Sequence, residues 1–280
     1  MLRQYWILAK PGIVAGNLMT AIAGYLFASH LSFDVTNFIL SMLGFAFVIA
    51  SSSVVNNLYD RDIDKTMERT RTRPMASGAI SMKSGSVYAL VLAVLGFSLL
   101  AVFANLTTVI LGALGFVIYA AVYTPLKRKT YHATFIGGFA GAMPLMGGYT
   151  AFTGRIDVVT LVLGMMMLMW QLPHFYALAL MHKKDYAKAK IPTVSIVLGK
   201  RMTIYFMLFY TLMFVLFNSL LYRYIYFPRI YIVSSTCLCV LWAWFSAQGL
   251  RLKPVNNWAQ SSFLMSLVIL VFMSVFIGIY

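Results

Sequence analysis

Apolar residues in this chain fall in long unbroken runs, and the breaks between the runs hold most of its charged residues. That is neither the alternation of a half-buried strand nor the three-to-four spacing of a water-facing helix. A helix that crosses a bilayer needs about 20 predominantly apolar residues, because the hydrocarbon offers its backbone no water to bond. Nine runs reach that length, at about 12–30, 36–58, 84–103, 106–124, 133–152, 158–181, 202–222, 230–249 and 258–280. They predict an all-α, polytopic membrane bundle of nine transmembrane helices, built as one domain over residues 1–280. No small-residue cleavage pattern follows the first run, so it reads as a retained span, not a signal peptide.

Composition agrees, with 61% hydrophobic and 10% charged residues and a mean hydropathy of +0.83, far from a soluble domain. A net charge of +15 would alone suggest a nucleic-acid partner, but its placement argues for a membrane instead. With the N-terminus inside, 19 of the 22 Lys and Arg fall on inner segments, and only Arg155, Arg223 and Arg229 on outer ones. A shift of one helix destroys this asymmetry, so the chain is expected N-in and C-out, with no nucleic acid and with anionic lipid against its basic loops. The longer inner loops, at about 59–83 and 182–201, put function on the cytoplasmic side. Cys237 and Cys239 lie mid-span without a histidine partner and read as apolar filler.

Of seven acidic residues, Asp60, Asp62, Asp64 and Glu68 fall within the stretch NNLYDRDIDKTMERTRTRP. Asn56, Asp60 and Asp64 recur every fourth residue, so they stack on one face if the second span stays helical, and Glu68 would extend that stripe. Two carboxylates and an amide suit a hard cation such as Mg2+, which favours a few carboxylates plus substrate phosphates. Asp62 faces away from the stripe and reads as an ion-pair residue. Arg69, Arg71 and Arg73 follow, and guanidinium groups behind a metal stripe suit a diphosphate.

Two further motifs leave alternatives open. YTPLKRKT sets Tyr123 and Lys127 at an inner interface, either as a belt tyrosine with flanking lysines or as a phosphate contact. WQLPHFYALAL places Trp170, Gln171 and His174 in an apolar, Met-rich span around Pro173; the histidine either bonds a carbonyl freed by the kink or contacts a ligand. Asp185, after Lys183 and Lys184, is the only acid in its loop and is a candidate for another metal oxygen. The glycine-rich fifth span reads as close helix packing or as room for a bulky ligand.

Together these segments resemble the UbiA superfamily of intramembrane prenyltransferases over about residues 8–201, and within it the branch that farnesylates haem. The resemblance implies Mg2+ and diphosphate at Asn56, Asp60 and Asp64, with Asp185 as the second acidic position and Tyr123 and Lys127 as the YxxxK element. It departs from the superfamily pattern at Ala189, where a second aspartate is usual, which leaves the ligands of a second metal open. Implied too is transfer of farnesyl from farnesyl diphosphate to a vinyl group of haem B, with water adding to give haem O. His174, with Trp170 and Gln171, would lie against the haem, and Lys183 or Lys184 would hold its propionates. A bacterial cytoplasmic (inner) membrane and a functional link to haem A synthase or terminal oxidase assembly follow from the same resemblance. Alternatives are a related enzyme acting on an aromatic quinone precursor, a transporter, or an assembly factor.

Overall fold

The computed structural model describes residues 2–224, 229–251 and 255–279. Lys253, Tyr280 and the side chain of Arg223, all used in the span and charge readings above, lie outside the described residues. In chain order the helices are α1 (Leu2–Leu8), α2 (Pro11–Ser29), α3 (Val35–Tyr59), α4 (Arg61–Thr66), α5 (Pro74–Ser77), α6 (Met82–Phe103) and α7 (Leu106–Val117). A π-helical turn, Ile118–Tyr123, joins α7 to α8 (Thr124–Leu126). There follow α9 (Ala133–Thr153), α10 (Val158–Met181), α11 (Lys183–Lys188), α12 (Val194–Val197), α13 (Gly199–Tyr224), α14 (Arg229–Gln248) and α15 (Val255–Ile279).

Each predicted span has its counterpart among the long helices. Among the described residues, eight helices are long and apolar enough to cross a membrane. The predicted span at 133–152 falls on α9, which has the length but whose glycines lower its hydropathy below that of the other eight. The chain is an integral, multi-pass membrane protein. Helix α10 is the innermost, with 67% of its spanning window buried against 22% for the peripheral α6. Its Leu163, Met166 and Leu168 pack with Phe214, Trp242 and Ile277 into the largest core cluster.

At one end of the bundle, polar side chains start the helices. Asp34 Oδ1 accepts from the Asn37 N–H at 2.7 Å, Asn105 Oδ1 from Thr108 at 3.0 Å and Asp157 Oδ1 from Thr160 at 2.9 Å. Each satisfies a backbone donor that the first helical turn leaves unpaired. Two of the acids are thereby accounted for as caps. A Cβ at Gly148 in the fifth span would run into the backbone carbonyl of Ala21, and one at Gly24 on α2 would meet the Tyr149 nitrogen at 2.9 Å. Close packing of α2 on α9 therefore explains these glycines.

Candidate active site

The opposite end of the bundle gathers the chemistry. Helix α3 ends at Tyr59, but the backbone spacing carries on: the Asp60 N–H donates to Asn56 O at 2.9 Å, and the Asp64 N–H to Asp60 O at 2.8 Å. Asn56, Asp60 and Asp64 are 3%, 2% and 2% exposed, so the polar stripe faces inward. Helix α4 stops at Thr66 because Met67 turns extended (φ −93°, ψ 132°), and Glu68 lies exposed beyond it. The expectation that Glu68 extends the stripe is therefore corrected: the helix needed to align it has ended.

Each member of the stripe meets a basic group from elsewhere in the chain. Lys127 Nζ pairs with Asp60 Oδ2, and Arg73 Nη1 donates to both oxygens of Asp64 at 3.1 and 2.9 Å. Lys10 Nζ donates to Asn56 Oδ1 at 2.5 Å, while Asn56 Nδ2 donates to Thr124 Oγ1 at 2.9 Å. Thr124 in turn donates to Tyr119 O at 2.7 Å across the π-helical turn, so the orientation of the amide is tied to that turn. Such turns recur at functional sites. They re-aim side chains, and here Tyr119 and Tyr123 stack with centroids 5.6 Å apart, with Lys127 Nζ 5.5 Å from the Tyr123 ring centre. Gly137 makes room, since a Cβ there would approach the Tyr123 ring to 2.7 Å.

Burial is the main reason the Lys10 ammonium is brought down to about 7; Arg73 and Lys127 push the same way, and Asp60 and Asp64 pull against them. Asp62 points outward and forms a two-pronged pair with Arg128, at 2.7 and 2.8 Å, which holds its carboxyl down to about 2. Arg128 also donates to Tyr59 O at 2.6 Å and lies 4.5 Å from the Tyr59 ring centre. Lys10 and Arg128 are the charged members of the cluster that sequence reasoning passed over. Their partners lie 46 and 66 residues away, and only the αL backbone of Lys10 (φ 54°) marks it locally.

The second long loop meets the first. Asp185 accepts from the backbone N–H groups of Glu68 at 3.3 Å and Arg69 at 3.4 Å. The side chains of Arg69, Arg71, Lys183 and Lys184 are exposed and, among the described residues, form no ion pair. Burial and then the Arg69 cation lower the His182 imidazole, while Asp185 opposes them.

Trp170, Gln171 and His174 stand apart from this cluster, on α10. Trp170 Nε1 donates to Ser266 O at 2.9 Å, and Gln171 Nε2 donates to Gly138 O at 3.2 Å and Met167 O at 3.1 Å. Both are 4% exposed, and the bonds to Ser266 and Gly138 tie α10 to α15 and α9. His174 Nδ1 lies 2.7 Å from Ser266 Oγ, whose own hydroxyl donates to Phe263 O at 2.5 Å. When the Ser266 hydroxyl donates to Phe263 O, Ser266 Oγ accepts from His174 Nδ1–H and the ring's lone pair sits on Nε2. The ring stacks between Trp170 and Phe263, with centroids 5.0 and 4.6 Å away.

Residues 17–268 match the UbiA prenyltransferase family. The chain is similar to the protoheme IX farnesyltransferase of Protochlamydia amoebophila, 37% identical over 270 residues, covering 96% of this chain and 95% of that one. The enzyme of the same name from Photorhabdus laumondii is 37% identical over 280 residues, covering 100% and 95%. Among solved structures, one for digeranylgeranylglyceryl phosphate synthase aligns with a TM-score of 0.80 at 21% identity, covering 99% and 98% of the two chains. A UbiA homologue from Archaeoglobus fulgidus, bound to GPP and Mg2+, aligns at 0.71 and 16% identity over 98% and 99%.

Proposed function

Because the chain belongs to the UbiA prenyltransferase family, we propose that it transfers the farnesyl group of farnesyl diphosphate to a vinyl group of haem B, giving haem O. The observation that carries this reading is the buried Asn56, Asp60 and Asp64 stripe, enclosed by Lys10, Arg73 and Lys127, at one end of an apolar bundle. The relatives named protoheme IX farnesyltransferase support haem as the acceptor.

The donor set fits Mg2+. Asn56, Asp60 and Asp64 offer only hard oxygen ligands, and Asp60 Oδ1 is a buried oxygen with no hydrogen-bond partner. These three residues would hold the ion, which when bound neutralises charge building on the departing diphosphate. Lys10, Lys127 and Arg73 bind and orient the diphosphate with the N–H donors their carboxylate and amide bonds leave over. The allylic C–O bond then breaks, its electron pair leaving with the diphosphate. The rings of Tyr119 and Tyr123 present π-faces to the cation that forms. The vinyl π-pair closes the new C–C bond, and water adds to the resulting benzylic-type cation with loss of a proton. Arg69, Arg71 and Asp185 belong to the loops over the diphosphate.

His174 offers its open Nε2 to the haem iron, with Nδ1–H held by Ser266 as a ligating histidine requires, and Lys183 and Lys184 take the propionates. The asymmetry of Lys and Arg supports an N-in, C-out chain with the stripe at the cytoplasmic face, and the bacterial relatives support an inner membrane. Haem O as product links the chain to haem A synthase or terminal oxidase assembly. Membranes carrying the chain are incubated with farnesyl diphosphate, Mg2+ and either haem B or 4-hydroxybenzoate, and products are identified by mass. Haem O in the first tube supports the proposal; prenylated benzoate alone shifts it to a quinone precursor.

A further inference from the structure

A groove that includes no residue of the acidic stripe runs between α1 and the start of α6. Two adjoining hollows, of about 630 and 410 Å3, share Tyr5 and Tyr88 as their floor, the two rings meeting edge to face at 5.0 Å. Each hollow has one cation on an otherwise largely apolar wall, Arg3 in the first and Lys83 in the second. We propose that this groove binds one anionic phospholipid, its phosphate between Arg3 and Lys83 and an acyl chain along Val87 and Val91.

Charge complementarity commits the site to an anion. Among the described residues, neither Arg3 nor Lys83 has an acidic partner, and the chain's acids lie elsewhere. Asp34 and Asp157 are caps, Asp60, Asp62 and Asp64 pair with other cations, and Asp185 accepts from the backbone N–H of Glu68, whose own carboxylate lies exposed on the first long loop and not in the groove. The groove's surroundings commit it to a lipid. Leu2 and Trp6 on α1 are 88% and 66% exposed, an apolar outward face that a short helix at the interface turns into the headgroup–acyl boundary. Val87 and Val91 continue outward along α6, 54% and 49% exposed, in the direction a chain descending from the headgroup would take. Asn57 Nδ2 donates to Leu8 O at 2.8 Å, fixing α1 at the level of the acidic end of α3. That is the depth at which Trp sits in membrane proteins and at which a phosphate meets Arg and Lys.

The test is native mass spectrometry of the full, detergent-purified chain offered phosphatidylglycerol or phosphatidylcholine of the same acyl length. We expect phosphatidylglycerol to be retained several-fold more. In the Arg3→Gln/Lys83→Gln variant that preference should be lost, while Lys188→Gln/Arg251→Gln, an equal charge change elsewhere, should keep it. Retention of the preference by the first variant, or its equal loss in both, overturns the proposal. If the first variant does not fold, the unmutated chain decides: brominated phosphatidylglycerol should quench the Trp6 emission, read by difference from Trp6→Phe, more than brominated phosphatidylcholine. Equal quenching overturns the site.

Discussion

Lys10 donates its ammonium to Asn56 Oδ1 at 2.5 Å from a left-handed backbone conformation, φ 54° and ψ 66°. That conformation costs a non-glycine residue about 1 kcal/mol or more, and it persists where surrounding contacts over-determine it. Lys10→Gln removes one charged hydrogen bond to the diphosphate, so KM for the prenyl diphosphate should rise about tenfold to a hundredfold near pH 6.5.

The same residue sets a pH dependence. Its ammonium is brought down to about 7, and an anion binds the protonated form better, so binding above pH 7 takes up a proton. In the unmutated chain, KM for the prenyl diphosphate should climb as pH rises from 7 to 9. In Lys10→Gln that rise should be absent, and an identical rise would remove Lys10 from the diphosphate site.

Asp60, Asp62 and Asp64 are neighbours in sequence with different fates. Asp60→Asn or Asp64→Asn should lower turnover by at least about a hundredfold, as expected for removing a ligand of a catalytic ion. Asp62→Asn should stay within about threefold, because its pair with Arg128 is surface-facing and worth under about 1 kcal/mol. That pair contributes above the ordinary carboxylate range and is lost only as pH falls through about 2, so no effect is expected at assay pH. Steady-state rates of the three variants check the ordering.

Much of the bundle was legible because span length is a local, additive signal. The ends of α10 fall where the apolar run ends, and α3 differs from its run by one residue at each end. The short helices α1, α4, α5, α11 and α12 were not read, since a turn or two of helix carries no periodicity to detect. At the site, the every-fourth-residue spacing revealed the stripe but ran one step too far, to Glu68, because nothing in the sequence announces the extended Met67. Lys10 and Arg128 stayed hidden among the topogenic charges, since tertiary packing alone brings them to Asn56 and Asp62.

The inside–outside assignment has its own readout. In a chain with Cys237 and Cys239 replaced by Ser, a membrane-impermeant maleimide should label Arg155→Cys in intact cells and Lys129→Cys only after lysis. The reverse pattern would invert the topology.

His174 separates a haem ligand from a packing residue. Haem B titrated into the purified chain should give a Soret band that His174→Ala lacks. Ser266→Ala should keep the band with affinity weakened about tenfold to a hundredfold, as for the loss of a second partner behind a ligating histidine. Unchanged spectrum and affinity in His174→Ala would reject the ligand role.

The most direct measurement follows diphosphate release and haem O formation together, in purified protein with farnesyl diphosphate, Mg2+ and haem B. The account predicts one haem O for each diphosphate released, with both lost in Asp60→Asn. Diphosphate released at the same rate without haem B, with farnesol as the only organic product, would contradict it.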